Sequence, residues 1–165
     1  MASNPKTLKF VLPTSVYSPE LLDSVRYEIE QYINWYRENR IHKTVGALPL
    51  AEPDHSAETA QVIESWIHGD KLTLTDLEAL LTYLKGLRLP TAHITLAALP
   101  NHAQRQQLVD WFRSTAGSNI LISFVGDRNL GGGILVRTPN RVFDYSWKQK
   151  LIEGRSKLAE VVHRV

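Results

Sequence analysis

The apolar residues of this chain change their period at Pro90, and that change limits what the chain can fold into. Before it, apolar side chains recur at three- and four-residue steps: Leu22, Val25, Ile29, Ile33 and Tyr36, then Val62, Ile63, Trp66 and Ile67, then Leu77, Leu80, Leu81, Leu84 and Leu87. Such spacing gathers each set on one side of an α-helix. After it come short apolar runs, His93 to Leu99, Asn119 to Val125, Gly133 to Thr138 and Arg141 to Phe143, which read as strands. The implied fold class is α+β: N-terminal helices followed by a small mixed β-sheet with one packed helix and a C-terminal helix.

Start and stop signals place the elements. Ser18 suits an N-cap and Pro19 the first helical position, predicting a helix over 19–39. Gly69 is placed to end the helix that carries Val62 and Trp66. Thr75 with Glu78 has capping-box spacing for the next helix, which Pro90 closes. Asn101 with Gln104 opens a helix over 101–115 whose inward side is Leu108, Val109 and Phe112, and Gly117 stops it. Lys9 to Leu12 reads as an edge strand or an extended arm, halted by Pro13. Gly46 to His55, with Pro49 and Pro53, reads as a linker, which divides an N-terminal helical segment at 1–55 from an α+β domain at 56–165. Pro139 and Asn140 separate two β-prone runs by a hairpin-like interval. Asp144 or Ser146 can cap a last helix bearing Trp147, Leu151, Leu158, Val161, Val162 and Val165.

Composition removes several function classes. With 165 residues, 43% hydrophobic and 22% charged, the chain is in the range of ordered globular proteins. It has no cysteine, so disulfides, thiolate metal sites and cysteine nucleophiles are absent, in keeping with a reducing cytosol. The short apolar run at Leu8 to Leu12 is too brief for a signal core or a membrane span. Charge is uneven: from Arg137 onward seven Lys/Arg face three acids, a balance of +4, which leaves −2 on the residues before. A basic end meets nucleic acid, anionic lipid or an acidic partner, or is simply a solvated face.

The chemical candidates are weak. Gly131, Gly132 and Gly133 resemble a phosphate loop only in composition, because a β-run follows them and no Lys-Ser/Thr pair is present. Their structural reading is a turn that needs positive φ or close backbone approach. The six histidines lack the paired spacing of metal ligands, and no nucleophile stands beside a base. No catalytic, cofactor-binding or metal residue is therefore assigned. The rival class is a small basic single-strand nucleic-acid binder, since Arg137, Arg141, Lys148 and Lys150 surround Phe143, Tyr145 and Trp147. The same aromatics, at period two, are equally explained by packing on the protein's own core.

One resemblance gathers these signals. Ile94 to Pro100, the helix at 101–115, Ile120 to Val125, Asp127-Arg128-Asn129-Leu130-Gly131-Gly132-Gly133-Ile134-Leu135-Val136-Arg137 and Asn140-Arg141-Val142-Phe143-Asp144-Tyr145-Ser146 follow one another in the order of a known domain. From Pro90 to Leu151 the chain resembles the C-terminal domain of the delta (oligomycin-sensitivity-conferring) subunit of F-type ATP synthases. The carrying landmarks are Gly131, Gly132, Gly133, Arg137, Asp144 and Ser146. The resemblance implies a non-catalytic peripheral-stalk (stator) subunit without a cofactor, cytoplasmic and held at the membrane only through its complex. It implies a b-type stalk helix as partner, seated on Trp147, Leu151, Leu158, Val162 and Val165, and no nucleic acid. The family's six-helix N-terminal domain, which holds the α subunit of the catalytic head, has no counterpart of that size here, so the α subunit stands only as a second candidate partner.

Overall fold

In the computed structural model the described residues are 10–67, 72–117, 119–152 and 154. They divide between Leu89 and Pro90 into two units. The expected boundary at residue 55 falls inside the first unit, because the helices on either side of it bury their apolar stripes against each other.

In the first unit, α1 (Pro19–Thr44), α2 (Ala57–Trp66) and α3 (Leu74–Gly86) form a three-helix assembly. Ser18 caps α1 by accepting from the Leu21 amide, with Pro19 in the first turn, and the helix runs five residues past the expected end at 39. Its buried stripe is Leu22, Val25, Ile29 and Ile33; α2 contributes Val62 and Thr59, and α3 contributes Leu77, Leu80 and Leu84. Residues 10–17 form an arm rather than a strand, turning at Pro13 to Val16, and it buries Leu12 and Val16. Phe10 packs edge-on against Trp66 and Tyr83 with ring centres 5.4 and 5.5 Å away.

Three polar devices fix the helix ends. The Glu28 carboxylate on α1 accepts from both the amide and the hydroxyl of Ser56, the N-cap of α2, at 2.7 and 2.8 Å. The Arg26 guanidinium donates twice to the Leu84 carbonyl in the last turn of α3, at 3.1 and 2.6 Å, reinforcing the acceptor on which the Leu87 amide already caps the helix. The box of α3 is Thr73 with Asp76, not Thr75 with Glu78. Both pairs have the spacing, but the earlier start puts Leu72 before the cap and Leu77 four places into the helix, the positions of a hydrophobic staple. The expected stop at Gly69 lies outside the described residues.

The second unit is a four-stranded mixed sheet in the order β2-β1-β3-β4. Its strands are β1 (Thr91–Leu96), β2 (Leu121–Gly126), β3 (Ile134–Arg137) and β4 (Val142–Asp144). β1 and β2 are parallel, so a crossover must join them, and α4 (His102–Ala116) supplies it. Asn101 and Gln104 form the capping box of α4, and Gly117, at φ +132°, ends it. Strand alternation sends Ala92, Ile94, Ile122 and Val136 to one side of the sheet; these are buried, as are Val109 and Phe112 of α4. The opposite side carries His93, Val125, Arg137 and Val142, all exposed. The β3–β4 hairpin turns at Pro139-Asn140, closed by the Thr138 amide donating to the Arg141 carbonyl at 2.8 Å. A fifth helix, α5, begins at 147 and is described through 152.

Candidate functional site

The segment from Asp127 to α5 brings the candidate residues of the sequence together. Asp127 accepts from the Asn129 amide and opens a 3-10 turn, Arg128–Leu130, which buries Leu130. Gly131, Gly132 and Gly133 follow with φ of +69°, +144° and +84°, a backbone region that L side chains rarely adopt. The path also needs the missing side chains. A Cβ on Gly133 would overlap the Tyr145 carbonyl oxygen and lie 2.9 Å from the Ser146 Cα, and one on Gly132 would lie 2.9 Å from the Trp147 indole. Two bonds hold this approach: the Trp147 amide donates to the Gly132 carbonyl at 3.0 Å, and the Tyr145 amide to the Ile134 carbonyl at 2.9 Å.

Asp144 and Ser146 divide one task. Ser146 is buried and its hydroxyl accepts from the Gln149 amide at 3.2 Å, which makes it the N-cap of α5. Asp144 accepts from the Ser146 amide at 2.9 Å and so orients the cap. Hydrogen bonds from the Ser146 hydroxyl and amide hold the Asp144 carboxyl below its ordinary range, with Lys148 adding attraction. The glycine run thus meets the first turn of α5 at a capped, close-packed junction.

Around this junction the apolar surface is open. Trp147 is 62% exposed and Leu151 64%, so neither is absorbed by the unit's own core. Val142, Tyr145 and Ile152 are likewise exposed, with Phe143 at the margin. Ile152 was not singled out in the sequence; its only signal is adjacency to Leu151. Arg137, Arg141, Lys148 and Lys150 are exposed beside them. Leu158, Val162 and Val165 lie outside the described residues.

Other chemistry is sparse. An open cleft of about 390 Å³ in the first unit is lined by Tyr32, His55, Ile63, Glu64 and Ile67 among others. The Tyr32 hydroxyl there donates to Glu52 at 2.6 Å. Burial, then that bond, pushes its pKa up to about 12, so it is no base at neutral pH. Among the described residues no group of three His, Asp or Glu side chains could hold a metal ion, and no helix is long and apolar enough to cross a membrane.

The family model described as ATP synthase delta (OSCP) subunit matches residues 78–158. The second unit is a delta/OSCP-type domain. The match begins within α3, spans the whole sheet and takes in the glycine run and the Asp144–Ser146 cap. No curated protein sequence matches the chain. Among solved structures, a chain of the cryo-EM structure of the Polytomella F-ATP synthase in primary rotary state 3 is 19% identical, with a TM-score of 0.37; the alignment covers 47% of this chain and 100% of that one.

Proposed function

We propose that the protein is a non-catalytic stator subunit of a rotary F-type ATP synthase, whose delta/OSCP-type domain engages a b-type stalk helix through the apolar surface opened at α5. The observation that carries this reading is the pairing of a family match over 78–158 with Trp147 and Leu151 held out of the core at its end. An amphipathic helix lays apolar residues into such a surface at three-, four- and seven-residue intervals. Leu158, Val162 and Val165 would extend the contact along the chain.

The junction gives this surface its fixity. Asp144, Ser146 and the glycine run tie the first turn of α5 to the start of β3, so force on the helix passes into the sheet through main-chain hydrogen bonds rather than through a loop. Nothing in that role makes or breaks a covalent bond. The α subunit of the catalytic head is a second partner, which the first unit would have to hold with three helices. The complex would keep the protein on the cytoplasmic side of the membrane.

The test is co-purification with a b-type stalk subunit. Trp147→Asp with Leu151→Asp should abolish capture while the far-UV spectrum and melting of the protein stay unchanged. Retained capture by a folded variant would overturn the assignment. The exposed Phe143, Tyr145 and Trp147 among basic residues also keep a second reading in view, single-strand binding, which predicts a salt-steep affinity lost on neutralising Arg137, Arg141 and Lys148. A gel shift without retardation near physiological salt disposes of it.

A further inference from the structure

Gly132 and Trp147 are joined twice. The Trp147 amide donates to the Gly132 carbonyl at 3.0 Å, and the indole lies over the glycine, so that a Cβ there would stand 2.9 Å from ring atoms Cδ2 and Cε3 and 3.3 Å from Cε2. Those three atoms belong to the six-membered ring, and a carbon close to all of them sits under its face. Gly131 shows what the second glycine adds. Both need positive φ, but a Cβ on Gly131 would meet nothing within 4 Å. With one face on bare glycine backbone the indole is still 62% exposed, so its other face and its edge meet solvent. A ring held in place before a partner arrives gives up little rotamer freedom on binding, which is what makes an aromatic anchor effective.

The edge of the ring carries an unused donor. Trp35 Nε1 donates to the Leu50 carbonyl at 3.2 Å, whereas Trp147 Nε1 has no acceptor among the described residues. The charge around it is positive. Residues 137–152 hold Arg137, Arg141, Lys148 and Lys150 against Asp144, a balance of +3. The three ion pairs among the described residues all lie in the first unit. Asp144 is engaged on the Ser146 amide and attracts Lys148, while Lys150 is exposed and has no ion pair among the described residues. On α5, Trp147 and Leu151 are four residues apart and share one side, which Lys150 and Lys148 border on either hand.

We propose that Gly132 seats Trp147 as the fixed anchor of this surface and that the helix it takes is acidic: one carboxylate of that helix accepts from Trp147 Nε1, and others pair with Lys150 and Lys148 at the rim. The occupant itself rests on the stator reading; what selects it is the chemistry of this edge. Apolar stripes are common on helices, so Trp147 and Leu151 alone discriminate poorly. A donor in a fixed position and two bordering cations reject a helix with basic flanks, through an unmet N–H and through like charges. The next exposed side chain on the side of Trp147 is Leu151, which continues a stripe for a helix and gives a second nucleobase no ring to stack on.

The chain has four tryptophans, hence four indole N–H signals in a proton-nitrogen correlation spectrum of the full-length protein, and Trp147→Phe assigns one of them by its loss. The probes are two synthetic helical peptides with the same leucine stripe, flanked by glutamates in one and by lysines in the other, and a single-stranded oligodeoxythymidine. The glutamate peptide should move the Trp147 signal and leave the other three, and the lysine peptide should move none. Trp147→Phe keeps a ring on Gly132 but removes the donor, and should weaken the glutamate peptide about tenfold, the worth of a hydrogen bond to a charged acceptor. Lys150→Glu should reverse the preference between the two peptides. Gly132→Ala should weaken binding more than Gly131→Ala, compared where both variants are folded, since only the former displaces the indole. The proposal is overturned by a Trp147 signal that the glutamate peptide leaves in place, or that the lysine peptide or the oligonucleotide moves as far. It is also overturned by Trp147→Phe binding as tightly as the parent, or by an unchanged preference in Lys150→Glu. Any of these leaves the stator reading standing if Trp147→Asp with Leu151→Asp still abolishes capture of the stalk subunit. Capture that survives that double variant, beside a glutamate peptide that behaves as expected, removes the stator reading and not the chemistry of this edge.

Discussion

Replacing Gly133 by alanine should damage the second unit more than any other glycine substitution in the run. At φ +84° an alanine meets the left-handed penalty of about 1–2 kcal/mol. Its Cβ would also overlap the Tyr145 carbonyl oxygen and sit 2.9 Å from the Ser146 Cα, both main-chain atoms that cannot swing aside. Moving that backbone adds about 1–3 kcal/mol, as overpacking does in a close-packed interior. The sum, about 2–5 kcal/mol, is a large part of the roughly 5–15 kcal/mol that holds a domain together. Gly131→Ala is the internal control, because its φ of +69° carries the same penalty but its Cβ would meet nothing within 4 Å. Gly132→Ala, facing the Trp147 indole at 2.9 Å, should fall between them. Urea unfolding of the full chain, with hydrogen exchange of the β3 and β4 amides to assign the loss to the second unit, measures all three. If Gly133→Ala is no worse than Gly131→Ala, the junction is not close-packed and the argument fails.

Ser146→Ala should cost about 1 kcal/mol, the ordinary value of an N-cap, and raise exchange in the first turn of α5. Asp144→Asn should loosen the same turn in the same direction, more mildly, because the Ser146 hydroxyl still caps. Glu28→Gln should destabilise the first unit by about 1 kcal/mol, since a charge-assisted pair of bonds to Ser56 becomes neutral. Burial raises the Glu28 pKa, but hydrogen bonds from Thr59, Ser56 and Ser24 together outweigh it, and the net value lies below 4.5. Its contribution is therefore present above 4.5 and lost as pH falls through the lower folded value, and urea midpoints compared at neutral and acid pH should show this in the parent protein and not in Glu28→Gln. Tyr32 is raised from 10 to about 12, so the attachment of α1 to the segment carrying Glu52 should weaken as pH climbs from 10 through 12, and Tyr32→Phe should remove the last component of the alkaline absorbance titration.

Local rules were legible where a cap or a period specified one answer. Ser18-Pro19 and Asn101 with Gln104 each start the helix that their spacing implies, and the shift to short β-runs after Pro90 locates the sheet. The box at Thr73 was missed because two overlapping pairs share its spacing, and only the burial of Leu77 selects between them. The order of the segment from Gly46 to His55 was hidden for another reason. Prolines at 49 and 53 do exclude helix there, but Tyr32, Trp35, Asn39 and His42 on α1 bond to Glu52, Leu50, Leu50 and Leu48 in turn, mostly at main-chain atoms, and leave no pattern in the segment itself. The division between Leu89 and Pro90 carries no such interval, since a proline-rich stretch such as 46–55 marks the end of an element and not the end of a core. For the candidate site, Gly131 to Ser146 could be read as a junction from residue types alone. Whether Trp147 and Leu151 point inward or outward could not, because an apolar stripe on a terminal helix serves a core and a partner equally well.

The most direct measurement of the stator account uses a photo-crosslinking residue at position 151, with the half-buried position 106 on α4 as the control, in the assembled complex purified from membranes. The account predicts that the adduct at 151 joins this protein to the b-type stalk subunit and that position 106 yields none with that subunit. An adduct to the stalk from 106 but not from 151, or from neither position in an intact complex, would contradict it.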